Sequence, residues 1–210
     1  MLIDCFPYFN EREILELRIK TLEDHVDGFL ITDANRTHRG EDKSFTCLDT
    51  IRELGLPEEK IQVLHVELTS AEEAPDPWIR ERGQRDALGV GLHMMPEDTV
   101  FICSDCDEIA NPAKFPELLE VVKEEKDKIV RLSMSMHYGR ADRQLVSPSG
   151  ELFDWRCGVV STVSQLKEFG TLSSMRATQN NRYFGVRDAG WHLSWMGDAD
   201  KRKTKLRAIA

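Results

Sequence analysis

Apolar residues recur along the chain with two periods, and the two alternate. Residues 2–6 form a short apolar run that predicts a first strand. Residues 10–22 carry Ile14, Leu15, Leu17 and Leu22 at helical spacing, with Asn10 positioned to cap the helix and Glu11 and Glu13 at its positive end. Residues 28–32 predict a second strand, 47–54 a short helix closed by Gly55 and Pro57, and 61–66 a third strand. Asp76 followed by Pro77 is a helix-start signal for a segment running to about Leu92. A fourth strand follows at 99–104. Strands separated by helices require crossover connections, so the expected sheet is largely parallel and the class is α/β. Ligands in such sheets bind at the carboxyl ends of the strands.

The second half is less regular. In 129–137, Val130, Leu132, Met134 and Met136 alternate with Arg131, Ser133 and Ser135, as in a half-buried strand. Further strands are expected at 152–160, 183–186 and 190–195, and a short helix at 163–169 ended by Gly170. The tail, 198–210, predicts a basic helix with Lys201, Arg202, Lys203, Lys205 and Arg207, read as a solvated face. No repeat or linker interrupts the chain, so one domain over 1–210 is expected, with a nucleotide-type half at 1–110 and an irregular half at 111–210.

Composition narrows the function classes. A net charge of −9 argues against a nucleic-acid partner. No apolar run approaches the ~20 residues of a membrane span. The 5 cysteines are scattered through apolar segments, as expected of reduced thiols in a cytoplasmic protein.

The strongest chemical signal lies where the fourth strand ends, in Asp105, Asp107 and Glu108. Carboxylates one residue apart on extended backbone face the same side, and hard oxygen ligands suit Mg²⁺ or Mn²⁺. Asp105 and Asp107 are therefore candidate metal ligands; an ordinary turn is the plain alternative. His192 could add a neutral imidazole to the metal, and Trp191 or Trp195 an apolar wall for a sugar or base. Arg82, Arg85 and Asp86 fall within about one helical turn, where the arginines could grip a diphosphate. Asp4, Asn10 and Asn35 end the first strands and are expected to contact the base or ribose of a nucleotide. An acceptor hydroxyl would need a general base, for which Asp188 is the first candidate and Asp154 and Glu151 the alternatives. A nucleotidyltransferase, a metal-dependent phosphohydrolase and a non-catalytic binding module would use many of the same residues.

Several blocks, in order along nearly the whole chain, resemble glycosyltransferase family 17. They are Asp4–Glu11 (Asp-Cys-Phe-Pro-Tyr-Phe-Asn-Glu), Glu16-Leu-Arg18, Ala34-Asn-Arg-Thr-His38, Arg80-Glu81 with Gln84-Arg85, Ser104-Asp-Cys-Asp-Glu-Ile109 and Ala189-Gly-Trp-His192. The family's best-known members are β-1,4-mannosyl-glycoprotein β-1,4-N-acetylglucosaminyltransferases. The resemblance implies a GT-A-like fold with a nucleotide-sugar half and an acceptor half. It further implies a UDP-GlcNAc donor, Mn²⁺ bound through Asp105, Asp107 and His192, a glycan or glycoconjugate acceptor, and inversion at the anomeric carbon.

Overall fold

Successive side chains of a strand face opposite sides of its sheet, and the first strand, β1 (Leu2–Tyr8), is apolar on both. Leu2, Phe6 and Tyr8 pack on one side, Ile3 and Cys5 on the other. A strand buried on both faces must be covered by helices on both, which is the condition of a parallel α/β sheet. The computed structural model, which describes residues 1–178 and 183–208, has that arrangement. Its remaining strands are β2 (Gly28–Ala34), β3 (Ile61–Val66), β4 (Val100–Cys103), β5 (Glu108–Ala110), β6 (Ile129–Tyr138), β7 (Asp154–Thr162) and β8 (Tyr183–Ser194). The helices are α1 (Arg12–Leu22), α2 (Cys47–Glu53), α3 (Pro77–Leu92), α4 (Phe115–Glu124), α5 (Val163–Phe169), α6 (Leu172–Ala177) and α7 (Ala199–Ala208).

All eight strands join one sheet in the order β3-β2-β1-β4-β7-β6-β8-β5. Only β7 and β5 run against the rest, so the sheet is mostly parallel. Leu15, Ile19 and Leu22 of α1, Ile51 of α2 and Leu118 and Val122 of α4 cover one face. Leu88 and Leu92 of α3, Leu166 of α5 and Leu172 and Met175 of α6 cover the other. Each fully buried leucine of this kind contributes about 1.5–3 kcal/mol. The sheet crosses residue 110 without a break, and β5 closes its far edge against β8. Gly190 allows that pairing, because a β-carbon there would lie 2.3 Å from the Ile109 carbonyl oxygen.

Asp76 caps α3 as expected, accepting from the Trp78 amide at 3.0 Å. Asn10 does not cap α1: it has φ +54°, and the helix begins at Arg12 behind Glu11, whose carboxylate accepts from the Phe9 amide at 2.8 Å. Residues 183–186 and 190–195 are not two strands. Residues 183–194 form the single strand β8, kinked where Asp188 takes φ +53° and the pairing with β6 shifts register.

Candidate active site

The carboxyl ends of β1, β2 and β4 open on a cavity of about 240 Å³. Its walls include Pro7 and Tyr8 at the end of β1, Phe9 and Glu11 after it, His38 after β2, and Trp78, Glu81, Gln84 and Arg85 on α3. Asp105, Cys106 and Asp107 after β4, His192, Ser194 and Trp195 at the end of β8, and Lys205 and Ala208 of α7 complete it.

The acidic turn is built from below by Arg18. This residue is fully buried on α1. Its Nε and Nη2 donate to both oxygens of Asp4, each at 2.7 Å. Nη1 donates to the carbonyls of Asp105 at 2.7 Å and Glu108 at 3.0 Å, and Nη2 to the Ser104 hydroxyl at 2.8 Å. A planar guanidinium presents five donors in a fixed fork, so one side chain sets the path of the whole turn. Asp4 is therefore a buried partner of Arg18, not a donor contact, which corrects the expectation from the strand end.

Asp105 and Asp107 then diverge. Asp105 accepts from Arg85 Nη2 at 3.1 Å and from Arg176 Nη1 and Nη2 at 3.1 and 2.6 Å. Desolvation would raise the Asp105 carboxyl, but Arg176 and Arg85 outweigh it and hold the group well below the usual carboxylate range. Arg176 also reaches Glu108, whose other partners are the Trp155 indole at 2.5 Å and the Asp105 amide at 3.0 Å. Arg131 fixes Arg176 in turn, donating to the carbonyls of Met175, Arg176 and Thr178 at 2.9, 2.6 and 3.0 Å and so closing the end of α6.

Asp107 Oδ2 accepts from the Lys205 ammonium at 2.7 Å, and Oδ1 stands 3.6 Å from His192 Nε2. The second distance is too long for a hydrogen bond. It suits two ligands of one ion bound at about 2.0–2.2 Å from each. The His192 Nδ1 is buried without a partner. Among the described residues, no three His, Cys, Asp or Glu converge as a metal cluster. Asp107 and His192 are thus the pair that could hold a divalent cation, while Asp105 is turned toward guanidiniums instead.

Lys205 has a second acidic neighbour, Glu11, at 3.9 Å. Burial pushes Glu11 up to about 7, with Lys205 pulling down and Asp107 pushing up. Burial would lower the Lys205 ammonium, but Asp107 and Glu11 hold it above the ordinary lysine range. Lys205 also stands between the main cavity and a neighbouring one of about 470 Å³, lined by Asn10, Ile14, Leu193 and Met196; Phe9, Glu11, Asp107 and Lys205 border both. The tail helix is therefore not a plain solvated face.

The other expected residues fall elsewhere. Arg82 is 51 % exposed and faces Asp76 at 3.8 Å. Asn35 accepts from the Leu68 amide at 2.9 Å and ties β2 to the segment after β3. Asn10 accepts from the Thr46 hydroxyl at 2.6 Å beside the second cavity. Trp191 is 38 % exposed and, by strand alternation, on the face opposite His192; Trp195 lines the cavity instead. None of the three base candidates lines it. The Asp188 carbonyl accepts from Asn111, Asp154 is held by Ser133 and Arg156, and Glu151 sits in the exposed turn between β6 and β7. Conversely, Glu11, His38, Glu81, Gln84, Arg176 and Lys205 were not singled out as site residues by the sequence. Glu11, His38, Glu81 and Gln84 stand inside the resembling blocks, which was the available signal; Arg176 and Lys205 carried none.

Comparison with known proteins adds the following. The glycosyltransferase family 17 profile matches residues 1–208. Comparison with curated proteins gave no match. Among solved structures, GalNAc-T7 with UDP, GalNAc and Mn²⁺ is similar at TM-score 0.61 and 10 % identity, over 99 % of this chain and 48 % of that one. S. aureus TarS 1-349 in complex with UDP-GlcNAc is similar at TM-score 0.55 and 13 % identity, over 94 % and 59 %. A 4-diphosphocytidyl-2C-methyl-D-erythritol synthase is similar at TM-score 0.58 and 12 % identity, over 98 % and 97 %. At such identities the likeness is one of fold. The chain spans about half of the GalNAc-T7 chain and nearly all of the synthase.

Proposed function

The chain belongs to glycosyltransferase family 17, and from that premise we propose that it is a metal-dependent inverting enzyme that moves GlcNAc from UDP-GlcNAc to a glycan or glycoconjugate hydroxyl. The observation that carries this reading is the Asp107–His192 pair, 3.6 Å apart on the wall of the cavity at the carboxyl edge of the sheet. Two solved structures of the same fold support the donor and metal classes, since one contains UDP-GlcNAc and the other UDP with Mn²⁺.

Asp107 and His192 would hold Mn²⁺ or Mg²⁺, whose chemistry is to offset charge on a departing nucleoside diphosphate. Asp105, shared by Arg85 and Arg176, lines the same cavity as Arg85, whose guanidinium is also paired with Glu81. Pro7, Phe9, Trp78 and Trp195 supply apolar walls. Lys205 is the cation that now neutralises Asp107, and a bound metal would take over that role.

A thermal-shift panel of nucleotide sugars with and without Mn²⁺ tests the proposal. Binding at 100 times Kd raises stability by about 2.7 kcal/mol, so UDP-GlcNAc with Mn²⁺ should stand out. A panel in which no nucleotide sugar shifts the transition would sink it. Hydrolysis of the donor with no acceptor modified would move the chemistry toward phosphohydrolysis.

A further inference from the structure

His38 is on the cavity wall, and its hydrogen bonding fixes which of its nitrogens can accept. The Gln84 amide nitrogen donates to two backbone carbonyls, Tyr8 at 3.1 Å and Thr32 at 3.2 Å. Carbonyls only accept, so the amide cannot be turned the other way. Gln84 Oε1 therefore faces His38 Nε2, at 3.2 Å, and an oxygen there requires Nε2 to carry the proton. In the neutral ring that leaves Nδ1 as a lone-pair acceptor. Burial holds His38 below the ordinary imidazole range, which keeps the ring neutral at pH 7. Its main chain is anchored as well: Arg80, almost fully buried, donates to the His38 carbonyl at 2.6 Å and to the Ser70 and Ala74 carbonyls at 3.1 and 2.5 Å. The tautomer is thus fixed and the residue anchored, on a cavity wall shared with Tyr8, Trp78, Glu81 and Arg85.

We propose that His38 is a specificity-determining residue that accepts, through Nδ1, a hydrogen bond from the ring N–H of the donor's uracil. A neutral acceptor near the Glu81 and Asp105 carboxylates, in a cavity that also holds the Tyr8 and Trp78 rings, suits a base edge better than a phosphate, which would want a donor. Uracil offers an imide N–H, whereas the corresponding ring nitrogen of cytosine is itself an acceptor and would face the His38 lone pair. Such a mismatch leaves two acceptors unpaired and is costly. Gln84 and Arg80 act through His38 as positioning residues. The assignment rests on the donor reading above.

The test is calorimetric titration of the full chain, in Mn²⁺, with UDP, N3-methyl-UDP and CDP. Methylation at N3 removes the N–H in question. The wild type should bind UDP at least about tenfold more tightly than either other nucleotide. His38→Phe keeps a ring without the acceptor and should bring the three affinities together. His38→Asn restores a side-chain acceptor and should recover part of the preference. Equal binding of UDP and N3-methyl-UDP by the wild type, or an undiminished preference in a folded His38→Phe, overturns the role of His38 alone. Failure of all three nucleotides to bind overturns the donor reading with it.

Discussion

Asp105 and Asp107 are separated by one residue, yet their counter-charges come from different kinds of structure. Those of Asp105 are guanidiniums on α3 and α6, two helices packed into the core through Leu88, Leu92, Leu172 and Met175. That of Asp107 is the ammonium of Lys205, on a helix whose only buried residue among those described is Ala208, with the His192 ring 3.6 Å away on the other side. The first carboxylate is neutralised by groups that folding fixes. The second is neutralised by a group that, on the proposed function, a metal ion would replace. A shared motif therefore holds one acid locked between core-packed helices and one paired with a peripheral helix, and the difference lies in what surrounds each, not in the residue type.

The contrast can be broken most severely beneath both residues. Arg18→Met should leave Asp4 buried without a partner and the turn without its donors, at a cost of about 3–5 kcal/mol. That loss should appear as a fall of ~10 °C or more in Tm. Asp4→Leu combined with Arg18→Met should recover part of it, because no lone charge then remains buried. Asp107→Asn should separate the two acids by function: transfer measured as UDP release should fall by about 10²-fold or more, with Tm nearly unchanged. Asp105→Asn should do the reverse in kind, lowering Tm because Arg85 and Arg176 lose their shared acid, while the Mn²⁺ affinity measured by titration stays as in the wild type. A weakened Mn²⁺ affinity in that variant would return Asp105 to the metal.

Two smaller effects sharpen the picture around Lys205. Lys205→Ala should raise Mn²⁺ affinity by about tenfold, or ~1.4 kcal/mol, because the cation no longer displaces an ammonium. Glu11 supplies a pH signature in the metal-free protein. Its folded value of about 7 lies above its unfolded one, so its contribution to stability is complete at low pH and is lost as pH rises toward and through 7. With its side chain 20 % exposed, the loss is held to about 1 kcal/mol. A melting series from pH 5 to 8 should show it, and Glu11→Gln should flatten that part of the curve.

The sheet was readable because local patterns decide it: a cap at Asp76 before Pro77, apolar runs at 2–6 and 28–32, and the alternation in 129–137, although residues 129–134 of that strand are buried on both faces, with Arg131 and Ser133 covered too, and not half-buried as expected. The cavity wall at Asp105 and Asp107 was readable for the same reason, since both follow a short apolar strand. The partners were not. Arg176 reaches Asp105 across 71 residues and Lys205 reaches Asp107 across 98, and no spacing in a single sequence encodes such contacts. Arginines misled most. Arg18 and Arg80 hold loop carbonyls, and Arg82, expected at a diphosphate, points to solvent. A charged residue on an amphipathic helix looks the same in sequence whether it faces water or grips a neighbouring backbone.

The buried fork on α1 also bears on the heat of ligand association. Because one guanidinium already arrays the 104–108 segment, that stretch has no disorder left to surrender when a nucleotide arrives. Association should then occur without the large heat-capacity change of coupled ordering, and its rate should be governed by diffusion and by whatever α7 must do.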